Sequence, residues 1–231
     1  MKTKFKTAVL YAAASLTLGM SVGAQAADIM YSRLNGAAIY DATSNLTWVS
    51  NANLAATNTF GVSGINSAGY MSFATANNWI AAMNAANYLG YNNWALPITL
   101  QPDATCSLQN GGISFGYNCT GSQMGNLFYN ALGGVSGQSI ANTHNANYNL
   151  FSNFQTIYYR SGTVLAPSVS SFIFYFNSGW QTTFLTYGTT YALAVRSGDV
   201  IAAVPEPTES ALMISGLGLI GFIASRRKKP V

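Results

Sequence analysis

The stretch Phe172-Ile173-Phe174-Tyr175-Phe176-Asn177-Ser178-Gly179-Trp180-Gln181-Thr182-Thr183-Phe184 reads as two strands around a tight turn. Residues 172–176 and 180–184 are rich in aromatic and β-branched side chains, which suit a pleated surface. Asn177-Ser178-Gly179 between them supplies the small and amide residues that a turn requires. Upstream, Ile157-Tyr158-Tyr159-Arg160 has the same character and is expected to form another strand. Downstream, Tyr191-Ala192-Leu193-Ala194-Val195-Arg196 is expected to form the last one.

Earlier in the chain the period changes. Ala76, Trp79, Ile80 and Met83 recur at i, i+3, i+4 and i+7, one apolar face of a helix. Ser72 is a suitable N-cap for it, and Gly90 stands where a helix C′ residue is expected. A shorter helix is predicted from Met124 to Leu132, ended by Gly133-Gly134. Ile39-Tyr40-Asp41 and Leu46-Thr47-Trp48-Val49 suggest two linked strands, and residues 50–71, rich in Asn, Ala, Gly and Ser, a long loop. Helices early and strands late predict a single α+β domain with one main helix, a second short helix and an antiparallel sheet, rather than alternating βαβ units.

The chain has 231 residues, of which 49% are hydrophobic and only 7% charged. That charged share is far below the usual ~25%, so Asn, Ser, Thr, Gln and Gly must build the surface. The cations concentrate at the two ends. Between residues 28 and 204 only Arg33, Arg160 and Arg196 remain, against Asp28, Asp41, Asp103 and Asp199, which leaves one net negative charge. Such a body has no basic patch for phosphates, which excludes nucleic acid as a partner and disfavours polyanionic polymers.

Both ends read as addresses. Lys2, Lys4 and Lys6 precede an apolar run over 8–20, and Ala24-Gln25-Ala26 offers small residues at −3 and −1. This predicts a signal peptide over 1–26, cut by signal peptidase before Ala27. At the other end, a linker over 201–210 contains Pro205-Glu206-Pro207. An apolar stretch over 211–224 and the basic cluster Arg226-Arg227-Lys228-Lys229 follow it, so that 211–231 reads as a hydrophobic helix with a basic tail. Fourteen residues at ~1.5 Å each give about 21 Å of helix, short of a ~30 Å hydrocarbon core unless the bilayer thins. The basic cluster should stay cytoplasmic and leave the body outside.

The order Pro-Glu-Pro, short apolar helix, basic cluster resembles the PEP-CTERM sorting signal, carried here by Pro205, Glu206, Pro207, Arg226 and Arg227. The resemblance implies a membrane-anchored intermediate at the inner membrane and recognition by an exosortase-type protease. It also implies removal of the tail and delivery to the cell surface or an exopolysaccharide matrix.

Cys106 and Cys119 are the only cysteines. Export into an oxidising compartment makes a disulfide between them the expectation. The rival reading is a catalytic thiol with the single histidine, His144. Two cysteines and one histidine lack the paired spacing of a zinc site, and no dinucleotide, Walker, EF-hand or G-x-S-x-G pattern occurs, so no cofactor or metal is expected. The body has no Glu, and a glycosidase would have to gather Asp41, Asp103 and Asp199 across a cleft. His144 lies in a polar, loop-like stretch and is expected to be solvated. Abundant Trp, Tyr and Asn suit the face of an uncharged sugar, and equally an ordinary core. Trp79, on the helix's apolar face, belongs to the core, whereas Tyr159 and Trp180, near strand ends, are the candidates for ligand contact.

From residue 39 to 200 the body resembles the Lcl C-terminal-domain family, a bacterial domain named from a collagen-like surface adhesin. The pieces, in order, are Tyr40-Asp41 with Asn45-Leu46-Thr47-Trp48, Met71-Ser72-Phe73, the run 90–97 (Gly-Tyr-Asn-Asn-Trp-Ala-Leu-Pro), the run 125–133, Tyr159-Arg160-Ser161-Gly162-Thr163, and the run 195–200. The resemblance implies one domain over 28–200 with a C-type-lectin-like or formylglycine-generating-enzyme-like fold. Ala95 stands where the family usually has Arg in Trp-Arg-Leu-Pro, and Tyr159-Arg160 where it often has Trp-Ser. The body has no Glu-Pro-Asn or Trp-Asn-Asp motif, so calcium-dependent sugar binding is not expected. Arg196 and Asp199 could pair across a turn, and Trp48 and Trp94 could seal the core beside the helix.

Together these readings predict an exported surface or matrix protein, a non-enzymatic binding module for neutral glycan or matrix polymer, with exopolysaccharide as partner. The alternatives are a structural matrix protein without a specific ligand and, more remotely, a polysaccharide hydrolase using Asp103 or Asp199.

Overall fold

A computed structural model describes residues 28–166 and 169–200. The signal-cleavage residues Ala24, Ala26 and Ala27 and the sorting residues Pro205, Glu206, Pro207, Arg226 and Arg227 lie outside the described residues.

The strands fall into three antiparallel sheets. The first has the order β1 (Met30–Arg33), β2 (Ala38–Asp41), β3 (Leu46–Val49), β9 (Val195–Ser197). A small hairpin pairs β4 (Leu108–Asn110) with β5 (Ile113–Phe115), and the third sheet runs β6 (Tyr158–Leu165), β7 (Ser170–Tyr175), β8 (Trp180–Leu185). The helices are α1 (Phe73–Ala85) and α2 (Gln123–Asn126), and α2 continues as a wider π-type turn over Leu127–Ala131. The fold is therefore α+β, with α1 and α2 set among antiparallel strands; strands precede the main helix as well as follow it.

The predicted main helix is present with its expected face: Ala76, Trp79, Ile80 and Met83 are all buried. The Ser72 hydroxyl accepts from the Thr75 amide at 3.2 Å, satisfying one of the free N–H groups of the first turn. Its end differs from the expectation at Gly90. The helix stops at Ala86, and Asn87 takes the left-handed conformation (φ 47°), which asparagine tolerates better than most residues.

Two apolar clusters share the interior. One gathers Trp48, Phe128, Leu132, Tyr159, Phe174 and Phe176 between the first and third sheets and α2. The other packs α1 against Val49, Met71, Trp94 and Leu96. The run 191–195 is buried throughout and separates them by its period of two. Tyr191, Leu193 and Val195 face the first cluster, while Ala192 and Ala194 face the second. Only its last residue enters β9; the rest is held by bonds such as Val49 N to Ala194 O and by the bridge of Tyr191 to Tyr159. Trp94 does sit beside α1, donating its indole N–H to Tyr88 O at 3.0 Å, whereas Trp48 belongs to the other cluster.

Arg196 does not ion-pair with Asp199 as a turn partner. The Asp199 carboxylate is held in a fork by Arg33 of β1, at 2.8 and 2.9 Å. That bond outweighs burial, which acts upward, and keeps the Asp199 carboxyl below the usual carboxylate range. Arg196 instead lies over the Tyr91 ring at 4.2 Å and donates to Asn93 Oδ1 and to the main-chain oxygens of Gly198 and Asp199.

Candidate functional site

The quoted hairpin forms with Tyr175 directly opposite Trp180, so the loop is Phe176-Asn177-Ser178-Gly179. Phe176 turns into the core, leaving Asn177 exposed and Ser178 half-buried at the tip. Gly179 has φ +76°, and an added Cβ would come within 2.4 Å of the Tyr129 hydroxyl and 2.7 Å of the Phe128 ring. A side chain there would be strained twice, by backbone and by contact. The same Tyr129 hydroxyl donates to Gly179 O at 2.8 Å and fixes the tip from below.

The opposite wall comes from a distant segment. Cys106 and Cys119 form a disulfide, which settles the rival reading of a free thiol. The loop they close contains β4 and β5, and just past β5 Gly116 exchanges two backbone hydrogen bonds with Gln181, each 2.8 Å. The Gln181 amide donates to Ser114 O at 3.2 Å from the buried side. This docks the loop on the edge of β8 and sets the Tyr117 ring edge-on to Trp180, centroids 4.7 Å apart at 81°.

Between these walls opens a recess of about 300 Å³ lined by Tyr117, Tyr175, Asn177, Ser178, Trp180 and Thr182. None of the six carries a formal charge. Burial, and then the neighbouring Tyr158, push the Tyr175 hydroxyl above its ordinary value, so it remains a protonated donor at neutral pH. The arrangement offers aromatic surface ringed by hydroxyl and amide groups, the combination that holds a polar but uncharged ligand by stacking and hydrogen bonds. A second recess of about 180 Å³ shares Thr182 and adds Ile113, Phe115 and Leu165 as an apolar wall.

Of the two candidate contact residues, Trp180 is half-exposed in this recess. Tyr159 is corrected by the structure: it is 0% exposed. Its hydroxyl accepts from the Gln155 amide at 2.8 Å, and burial pushes that hydroxyl strongly up. The physical reason is the phase of the strand. Neighbouring residues point to opposite faces, and in the Tyr158-Tyr159 pair it is Tyr159 that packs on Phe154, Phe176 and Tyr191.

The carboxylates are not gathered into a cleft. Asp41 caps the turn after β2, accepting from the amides of Thr43 and Ser44 and from the Ser44 hydroxyl. Asp103 is buried and accepts from Thr105 and from the Ser122 hydroxyl. Asp199 is taken by Arg33. Burial, and secondarily Asp41, raise the Asp28 carboxyl. His144 is exposed, stacked on Tyr148 at 4.3 Å, with Nδ1 3.0 Å from Asn145 O.

Sequence reasoning missed Tyr117, Tyr175, Asn177, Ser178 and Thr182 as site residues. The turn signal at 177–179 could have found two of them. Nothing local marks Tyr117, because its neighbour across the strand is some sixty residues away.

The described chain is thus an α+β domain with a disulfide-braced, uncharged aromatic recess at one sheet edge. Residues 203–228 match the PEP-CTERM protein-sorting motif, in agreement with the reading of Pro205-Glu206-Pro207 and the basic tail. This motif implies export, processing by an exosortase at the membrane and delivery to the cell surface. No curated protein and no solved structure matches the chain, and no family match or relative supports the likeness of the body to the Lcl C-terminal-domain family. Among the described residues no helix is long and apolar enough to cross a membrane; the apolar stretch over 211–224 lies outside them.

Proposed function

We propose that the protein is a non-enzymatic binding module, carried to the cell surface or extracellular matrix by its sorting tail, that holds neutral glycan in the Tyr117–Trp180 recess. The observation that carries this reading is the uncharged aromatic, hydroxyl and amide lining of that recess. Trp180 supplies the stacking face, Tyr117 the edge that limits it, and Asn177, Ser178 and Thr182 the hydrogen bonds that orient a sugar ring. The absence of a formal charge in the lining disfavours sulfated or phosphorylated polymers. The described carboxylates, each tied to a turn, a loop or an arginine or held back near Asp41, support binding over hydrolysis. Delivery to the cell surface would bring the recess to an exopolysaccharide.

The test is affinity electrophoresis of the purified protein through gels containing neutral extracellular polysaccharide of the host, beside Trp180→Ala. Loss of a central aromatic anchor is expected to weaken binding tenfold or more, about 1.4 kcal/mol. Equal migration with and without polysaccharide would overturn the reading and leave a structural matrix role without a specific ligand.

A further inference from the structure

Strand register extends the recess into a row. Tyr158 lies directly across from Tyr175, and Tyr175 directly across from Trp180. The antiparallel bridge between Gly116 and Gln181 places Tyr117 directly across from Trp180 on the other side. Residues opposite one another on neighbouring strands share a sheet face, so Tyr117, Trp180, Tyr175 and Tyr158 stand in one line perpendicular to the strands. All four are half-buried, with their outer surfaces open. The intervening positions Phe174, Phe176 and Gln181, like Tyr159, are buried on the opposite face.

The row crosses four chain segments. Three strand spacings of ~4.8 Å make it about 14 Å long, more than one sugar ring can cover. Its ends are built alike. Tyr117 meets Trp180 edge to face at 81°, and Tyr158 meets Tyr175 at 69° with centroids 5.3 Å apart. In each pair at most one ring can lie flat against a ligand, and the other offers its edge. The recess takes in Tyr117, Trp180 and Tyr175 of the row, with Asn177, Ser178 and Thr182 completing its lining. Phe184, 5.9 Å from Tyr158, supports the far pair.

Resting on the glycan reading above, we infer that this row is a linear platform that takes an internal stretch of an unbranched neutral polysaccharide, several sugar units long, laid across the strands rather than along them. A site for a single sugar would end with the recess; here the row runs on past it to Tyr158, which meets Tyr175 outside the recess lining.

The experiment is a length series. Neutral extracellular polysaccharide of the host is partially hydrolysed, and fragments of one to six sugar units are titrated into the purified protein by calorimetry. Affinity is expected to rise at least tenfold between one and four units and then flatten. Tyr158→Ala is expected to lower affinity for the four-unit fragment about tenfold and leave the two-unit fragment unchanged, whereas Trp180→Ala weakens both. Tyr158→Leu, which keeps apolar bulk at the site, should reproduce the Tyr158→Ala result with an unchanged unfolding midpoint. Binding that is independent of length yet lost in Trp180→Ala would overturn the platform and spare the glycan reading. Absence of binding at every length would overturn both.

Discussion

Breaking the Cys106–Cys119 bond should loosen one wall of the recess before it unfolds the domain. The bond closes a loop of 13 residues' separation, and for a loop of this size the chain-entropy relation gives ~3 kcal/mol of stabilisation. The enclosed hairpin is otherwise tied through Ser114 to Gln101 and Asp103 and through its bonds to β8. All three residues of β4 are exposed, and of β5 only Ser114 is buried. The remaining ties to β8 are the two Gly116–Gln181 bonds and the Gln181–Ser114 bond, each worth ~1 kcal/mol net. Loss of the disulfide leaves Tyr117 held against Trp180 by hydrogen bonds and ring contact alone. Globally, ~3 kcal/mol corresponds to a fall in melting temperature of roughly 6–12 °C for a domain of this size. The assay is tryptophan fluorescence of the double variant Cys106→Ala/Cys119→Ala. Trp48, Trp79 and Trp94 are at most 2% exposed, so acrylamide quenching reports chiefly on Trp180. Quenching should increase at temperatures where far-ultraviolet circular dichroism still shows the native fold. A variant whose quenching and melting temperature both match the wild type would refute the reasoning.

Arg160 is fully buried, and its guanidinium spans Thr190 Oγ1, Ser171 Oγ and the main-chain oxygens of Leu185 and Gly188; Arg160→Met should cost about 3 kcal/mol or more by stranding these acceptors, measured by urea denaturation, and a cost under about 1 kcal/mol would contradict the pinning role. The Arg33–Asp199 fork is a quarter exposed, so a double-mutant cycle should give no more than ~1 kcal/mol. Because the folded Asp199 carboxyl lies below its unfolded value, the unfolded chain binds the extra proton. The contribution is therefore complete above the ordinary carboxylate range and disappears as pH falls through the folded value. Asp28, raised in the folded state, contributes with the opposite sign, so the comparison is made between wild type and Asp199→Asn, whose acid melts should converge at low pH. Gly179→Ala should lower stability and weaken glycan binding together, since the tip must move off Tyr129 and Phe128; unchanged values of both would contradict the buttress.

The hairpin around 177–179 and the helix from Phe73 were legible because their signals are local: a turn flanked by aromatic and β-branched runs, and an apolar face behind a capping serine. Tyr159 was misplaced by one residue. A Tyr-Tyr doublet announces a strand but not its phase, and packing against Phe154 and Phe176 decides which ring is buried. The partnership of Arg33 with Asp199 depends on β1 closing the first sheet, and a four-residue strand with two exposed positions carries little pattern. Tyr117 was invisible for a related reason: its place is set by a disulfide and by backbone bonds to Gln181, neither of which leaves a periodic trace in the loop. Five of the six lining residues thus come from the hairpin, and tertiary docking supplies only Tyr117.

The most direct test of the binding role is retention of the protein, recovered from the host cell surface, on a column of the host's neutral extracellular polysaccharide, with Trp180→Ala run beside it at equal unfolding midpoint. The expected result is retention of the wild-type protein, elution by free neutral oligosaccharide, and flow-through of the variant. Retention of both proteins alike, or of neither, would contradict a binding site at Trp180.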